Sequence, residues 1–145
     1  MVHTSSPEWT TRTAKAVLLV RILVGWVFVS EGIQKFVFPA QLGVGRFEKI
    51  GILFPHFMAP FVGSVEIACG SLLLIGLFTR VAVVPLLGVI LVAIATTKLP
   101  MIAKTGVWSM LHEARADFSM LLGLVFLLIT GAGTLSLDAR RKTRN

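Results

Sequence analysis

Long apolar segments alternate with short polar ones along this chain. Four of the apolar segments cover about residues 15–37, 60–78, 80–99 and 112–132. Each has about the 20 residues that a helix needs to cross the hydrocarbon core of a bilayer. The pattern predicts an all-α fold, a four-transmembrane-helix antiparallel bundle, with residues 14–138 as the membrane domain. Residues 1–13 then form a polar N-terminal segment, and residues 139–145 a basic tail.

The first apolar segment carries charged and small residues on one face. Successive helical residues are rotated by about 100°, so five of them form a narrow stripe with Glu31 at its flank. These five are Arg21, Gly25, Phe28, Gly32 and Lys35. Because the rest of the helix surface is large and apolar, we expect lipid outside and the charged stripe turned inward. The internal charges and the lack of a small-x-small cleavage site favour a retained span over a signal peptide.

Residues 39–58 separate the first two predicted spans. In their middle, apolar residues recur every third position and charged residues fall between them. The apolar ones are Val44, Phe47 and Ile50, and the charged ones are Arg46, Glu48 and Lys49. This pattern predicts a short amphipathic interfacial helix that lies on the membrane surface.

The composition indicates a membrane environment. Hydrophobic residues make up 55% and charged residues 14% of the 145 residues, and the mean hydropathy is +0.86. Ordinary soluble domains carry about 25% charged residues. The net charge of +7 does not indicate nucleic-acid binding, because the basic residues lie between apolar segments and in the tail rather than in one patch. They fit anchors at an anionic lipid surface, so the bilayer is the predicted partner.

The distribution of basic residues also predicts the orientation. With both termini in the cytoplasm, seven basic residues near span ends lie inside and six lie outside. Four basic residues in the C-terminal tail decide this close comparison in favour of a cytoplasmic tail. They are Arg140, Arg141, Lys142 and Arg144. We therefore predict a multi-pass protein with both termini cytoplasmic.

In that topology all four spans carry ionisable residues toward the outer half of the membrane. They are Glu31, Lys35, Glu66, Lys98, Glu113 and Asp117. One unpaired charge near the hydrocarbon centre disfavours insertion by about 2.5–3.5 kcal/mol. Several charges on one side therefore predict mutual pairing around an inward-facing pocket, and these six are its candidate residues. Ion pairs that only fix the register of the helices fit the same pattern, and Glu113 alone also fits a solvated interfacial position.

Three other charged residues are predicted to be structural or interfacial. Arg21 lies in the opposite half of the membrane, where Asp138 or a lipid phosphate is its expected partner. Arg80 follows Thr79 in a very tight turn between the second and third spans.

Motifs for several kinds of chemistry are missing from the sequence. Cys69 is the single cysteine, which excludes an intrachain disulfide and disfavours a four-helix thiol-oxidising enzyme. His56 and His112 lack the spacing of metal or haem ligands. No catalytic residue, metal site or cofactor is therefore evident from the residues themselves.

Four short motifs give the chain a family resemblance. In order they are R-x9-E-G-x2-K, E-x3-G-x5-G-x2-T-R, E-x3-D and G-x-G-x2-S-x-D. Their residues are Arg21, Glu31, Gly32 and Lys35; Glu66, Gly70, Gly76, Thr79 and Arg80; Glu113 and Asp117; and Gly131, Gly133, Ser136 and Asp138. In this order and spacing, from about residue 21 to residue 138, the sequence resembles the DoxX family of small four-helix bacterial membrane proteins.

The resemblance implies a bacterial inner-membrane protein that is a subunit or accessory of a membrane redox or oxidative-stress system. The chain has no redox centre of its own, so a quinone or a partner subunit would supply the redox chemistry. The sequence leaves open whether the protein forms homo-oligomers and whether it is an enzyme.

Two alternatives to a redox role remain. A small proton-coupled transporter could use Glu66 as an embedded carboxylate, although Lys35 and Lys98 would keep nearby carboxylates ionised. A structural or assembly protein would use the charged residues only to lock the helices together.

Overall fold

A computed structural model describes residues 8–143, and every regular element within them is a helix. In chain order, the described residues form seven α-helices. They are α1 (Glu8–Val37), α2 (Val44–Lys49), α3 (Pro55–Ile75), α4 (Thr79–Ala93), α5 (Leu99–Thr105), α6 (Val107–Thr130) and α7 (Leu137–Lys142). A π-helical turn, Ile94–Lys98, joins α4 to α5. The predicted N-terminal segment is thus helical from Glu8, while residues 1–7 and 144–145 lie outside the described range.

The four long helical segments pack in a ring. The most extensive contact is between α1 and α3; α3 also packs on α4, α4 on α6, and α6 on α1. The connection from α3 to α4 is only three residues long and begins with Gly76, whose φ of 69° suits glycine. A connection this short makes the two helices antiparallel neighbours.

The α1–α3 contact is close because glycines face each other across it. A Cβ added to Gly32 would lie 2.6 Å from the carbonyl oxygen of Gly63, and one added to Gly25 would lie 2.8 Å from that of Gly70. Small residues at such crossings let two backbones approach each other directly. This contact holds the charged stripe of α1 against α3.

The third helical segment extends beyond the predicted span. Instead of ending near residue 99, the chain stays helical to Thr105. The π-helical turn adds an extra residue to the turn before Pro100, which then sits at the start of α5, where its missing N–H is not needed. The second segment likewise begins earlier than predicted, at Pro55, and includes Pro60 in its interior.

Large apolar side chains cover the outer surface of the bundle. Leu19, Trp26, Val81, Leu122 and Ile129 are each at least 66% exposed. Within the described part of the chain, three helical segments are long and apolar enough to cross a membrane: Arg12–Val37, Pro55–Ile75 and Thr79–Thr105. The helix α6 has 24 residues but carries Glu113, Arg115 and Asp117 in its first half.

Candidate functional site

A cavity of about 510 Å³ lies between the helices near one end of the bundle. At this end, α1 finishes and α3 begins. Its lining comes from α1, α2, α3, α4, the π-helical turn and α6. Its volume lies within the range typical of small-molecule sites. Seven of the lining residues are ionisable: Glu31, Lys35, Arg46, Glu66, Lys98, Glu113 and Asp117. We call this space the charged cavity.

An ion pair between Lys35 and Glu66 forms one wall of the charged cavity. Lys35 Nζ lies 2.7 Å from Glu66 Oε2, and the two side chains are only 12% and 4% exposed. The pair forms because the close α1–α3 crossing brings the last turns of α1 beside the middle of α3. Lys35 Nζ also lies 3.5 Å from the carbonyl oxygen of Glu31.

A second ion pair lies on the opposite side of the charged cavity. Lys98 Nζ is 3.3 Å from Asp117 Oδ2, and the side chains are 13% and 22% exposed. Lys98 is the last residue of the π-helical turn. Such turns occur often at functional sites, because the extra residue re-aims the side chains that follow. Here the turn brings Lys98 to α6.

The remaining charged residues of the lining lie at more open positions. Glu31, Arg46 and Glu113 are exposed, whereas Glu66 is buried. The charged cavity therefore has paired charges in its interior and single charges at its rim.

The rest of the lining is mostly apolar. Phe28, Ile90 and Met120 line the cavity and also belong to the buried core of the bundle, so they form its floor. Met58, Phe61 and Val62 line it from α3, and Leu42, Phe47 and Ile50 from the α1–α3 connection. An apolar space with a few convergent polar groups suits an amphiphilic molecule.

Arg21 lies away from the charged cavity, toward the other end of the bundle. It is only 3% exposed, and its guanidinium donates hydrogen bonds to the carbonyl oxygens of Ala132 at 2.6 Å and Leu135 at 2.9 Å. The absence of a side chain at Gly76 provides space for the guanidinium, because a Cβ at this position would lie only 2.6 Å from Nη1 of Arg21. Arg21 thus joins α1 to the chain that follows α6.

Asp138 and Arg80 complete this second cluster. The carboxylate of Asp138 accepts hydrogen bonds from the backbone N–H groups of Phe78 at 2.9 Å and Thr79 at 3.2 Å. It therefore caps the start of α4 from a different helix. Arg80 donates to the carbonyl oxygen of Ile129 at 3.0 Å.

The other chemically distinctive residues lie apart from these clusters. His56 is exposed and lies 3.3 Å from a Glu48 carboxylate oxygen, and His112 is exposed on α6. Cys69 is half-buried and free. Among residues 8–143, no group of three His, Cys, Asp or Glu side chains could hold a metal ion.

The structure brings all six predicted pocket residues to one cavity and adds residues that the sequence analysis did not select. The sequence pattern places Arg46 in the predicted interfacial helix, and Gly88 and Thr97 in the apolar third span. In the structure, all three residues line the cavity. The threonine pair Thr96–Thr97 beside Lys98 was the available signal in an otherwise apolar segment. Gly88 gave no signal, because a glycine in a membrane helix is common.

Comparison with known proteins agrees with this architecture. The model of the DoxX family matches residues 16–99. The uncharacterized membrane protein Rv3486 of Mycobacterium tuberculosis is 54% identical over 135 residues, which cover 89% of this chain and 83% of the relative. A second relative, CatD of Bacillus subtilis, is 31% identical over 121 residues, with 83% of each chain covered. The name of CatD assigns it provisionally to the oxidoreductases. No solved structure matches the chain. With a family match over more than half of its length and a relative this similar, the chain is a membrane protein of the DoxX family.

Proposed function

We propose that this DoxX-family protein binds a quinone in the charged cavity and serves as a subunit or accessory of a membrane redox system. One observation carries the proposal: a buried Lys35–Glu66 ion pair forms the wall of a cavity that is otherwise mostly apolar. A quinone has the matching chemistry, with carbonyl oxygens that accept hydrogen bonds on an apolar ring. The provisional name of CatD points to the same class of reaction.

The residues of the charged cavity would hold a quinone in a defined way. Lys35 is the donor for a quinone carbonyl, and Glu66 holds the ammonium group in place. Phe28, Ile90 and Met120 form an apolar floor for the ring and keep water away from it. A bound quinone would accept or give up two electrons and two protons, and a partner subunit would exchange the electrons.

The proposal includes a topology in the bacterial inner membrane. All four long helical segments cross the bilayer, α6 included, because Asp117 pairs with Lys98 in the cavity, and the exposed Glu113 and Arg115 lie in the first three turns of α6, near the interface. The helix α2 lies at the outer interface, with exposed Glu48 and Lys49 toward water. Both termini are then cytoplasmic, with the basic tail at the anionic leaflet.

Quinone binding by the purified protein tests the proposal. The protein is reconstituted in nanodiscs and titrated with a benzoquinone that carries a decyl tail, while organic extracts of the purified protein are analysed for co-purified quinone. We expect saturable binding, and weaker binding by the Lys35→Met Glu66→Leu double variant. Folded wild-type protein that neither carries nor binds quinone would contradict the proposal.

The geometry around Glu66 favours this proposal over proton-coupled transport. A transporting carboxylate must exchange its proton for a cation during the cycle, whereas Glu66 is in contact with the ammonium group of Lys35. Proton-coupled cation flux in vesicles that is lost in the Glu66→Gln variant would reverse this preference.

A further inference from the structure

The charged cavity reaches the apolar outer surface of the bundle between α3 and α4. Gly88 of α4 lines the cavity and is itself exposed. A Cβ added to Gly88 would have no atom within 4 Å, so open space lies beside it. One turn to either side on the same face, Val84 and Val92 are 59% and 53% exposed. The cavity therefore has an opening at Gly88 on a face covered by apolar side chains.

The neighbouring helix α3 also contributes an exposed apolar residue to the cavity lining. Phe61 lines the cavity and is 52% exposed, and its ring stacks on that of Phe57 with the centroids 5.9 Å apart. The exposed lining residues of α3 and α4 are thus apolar, whereas the exposed charged ones, Glu31, Arg46 and Glu113, lie on α1, α2 and α6. An opening for a water-soluble ligand would be expected to have polar edges.

The end of the cavity near α2 has a different character. Leu42, Phe47 and Ile50 line it there, and Arg46 adds a charge. These residues belong to the α1–α3 connection, which lies across the ends of the long helices. The side opening at Gly88 is thus the part of the cavity that faces the bilayer.

We infer that the ligand of the charged cavity is a membrane-dissolved amphiphile that enters sideways from the bilayer and leaves its apolar tail in the opening between Gly88 and Phe61. This inference rests on the proposed function and specifies it further: the ligand is a quinone with a long apolar tail, and the tail contributes to binding. The polar head lies at the Lys35–Glu66 pair, and the tail passes α4 where no side chain blocks it.

Substitution of Gly88 tests the inference. The Gly88→Phe variant in nanodiscs is titrated with a decyl-tailed benzoquinone and with the corresponding tail-free benzoquinone. The matched control is Val84→Phe, which places the same ring on the same face but outside the cavity lining. All samples use one lipid composition, so that partitioning of the tailed quinone into the bilayer cancels. Circular dichroism and thermal unfolding confirm that each variant is folded.

The expected result separates the two quinones. Gly88→Phe lowers the affinity for the tailed quinone by about tenfold or more, because the ring takes up the space that the tail would occupy. Its affinity for the tail-free quinone stays within about twofold of wild type, and Val84→Phe changes neither affinity.

Two results would overturn the inference while the proposed function stands. In the first, Gly88→Phe binds the tailed quinone as wild type does. In the second, it loses both quinones equally, which would place the head group rather than the tail at Gly88. If wild-type protein binds neither quinone, the proposed function itself is wrong.

Discussion

The Lys35–Glu66 pair determines what the cavity can do, because it places two opposite charges in a largely apolar environment. The pair is 2.7 Å long and almost fully buried. A buried ion pair is weak evidence for a stabilising role, since desolvation offsets much of the attraction. Removing only one partner, however, leaves an uncompensated charge. Substituting both partners therefore separates a structural from a functional role.

We expect Lys35→Met alone to lower the free energy of unfolding by roughly 3–5 kcal/mol, the effect of breaking a buried pair. The Lys35→Met Glu66→Leu double variant should regain most of this stability but bind quinone weakly. Thermal unfolding in detergent and binding titrations measure the two effects. A double variant that is stable and binds quinone normally would show that the pair only fixes the helices.

Arg21 shows how a buried charge can be accommodated by backbone carbonyl oxygens together with a nearby carboxylate, that of Asp138. Its guanidinium donates to two carbonyl oxygens in the segment between α6 and α7, so Arg21 ties α1 to this segment. From the sequence, Asp138 or a lipid phosphate is the expected partner of Arg21. Asp138 lies near enough to interact electrostatically with Arg21, and its carboxylate also accepts hydrogen bonds from the backbone at the start of α4, which no sequence spacing indicates.

We expect Arg21→Met to lower the free energy of unfolding by about 2–4 kcal/mol, because two charged hydrogen bonds are lost and the buried carbonyl oxygen of Ala132 is left without its donor. Arg140→Met is the control, since Arg140 is exposed. Thermal unfolding of both variants in the same detergent checks this. Equal stability of the two variants would contradict the role assigned to Arg21.

Among the elements, the α1–α3 crossing and the π-helical turn position the site. Glycines let α1 and α3 approach closely enough for Lys35 to reach Glu66. The π-helical turn brings Lys98 to Asp117. The inward stripe of α1 could be predicted from helical periodicity alone. The π-helical turn could not, because an extra residue in one turn has no simple signature in an apolar segment.

Two glycine substitutions test the importance of the crossing. In Gly32→Ala the new methyl group meets the backbone of Gly63, so the helices must separate, and we expect a loss of about 1–3 kcal/mol in the free energy of unfolding. In Gly88→Ala the methyl group has open space, and stability should rise by about 0.5–1 kcal/mol because the unfolded chain loses freedom. Thermal unfolding compares the two variants, and a similar response in both would contradict the close crossing.

At the scale of the whole molecule, large apolar side chains cover the outside of the bundle, and two ion pairs lie inside it. The all-helical fold and the membrane class follow from the sequence, because hydropathy and length are local properties. The cavity's composition could also be anticipated, since buried charges in a membrane protein must find one another. The position of Gly88 in its lining could not, because it depends on how the helices pack around the cavity.

Photoaffinity labelling tests the central claim that a quinone head group lies at the Lys35–Glu66 pair inside the bundle. A tailed quinone with a photoreactive group on its ring is cross-linked to the protein in nanodiscs, and the labelled peptides are mapped by mass spectrometry. The account predicts labels within residues 27–35 of α1 and 58–66 of α3, suppressed by excess unlabelled quinone. Labels confined to outward-facing residues such as Leu19 and Ile129, unaffected by competitor, would contradict it.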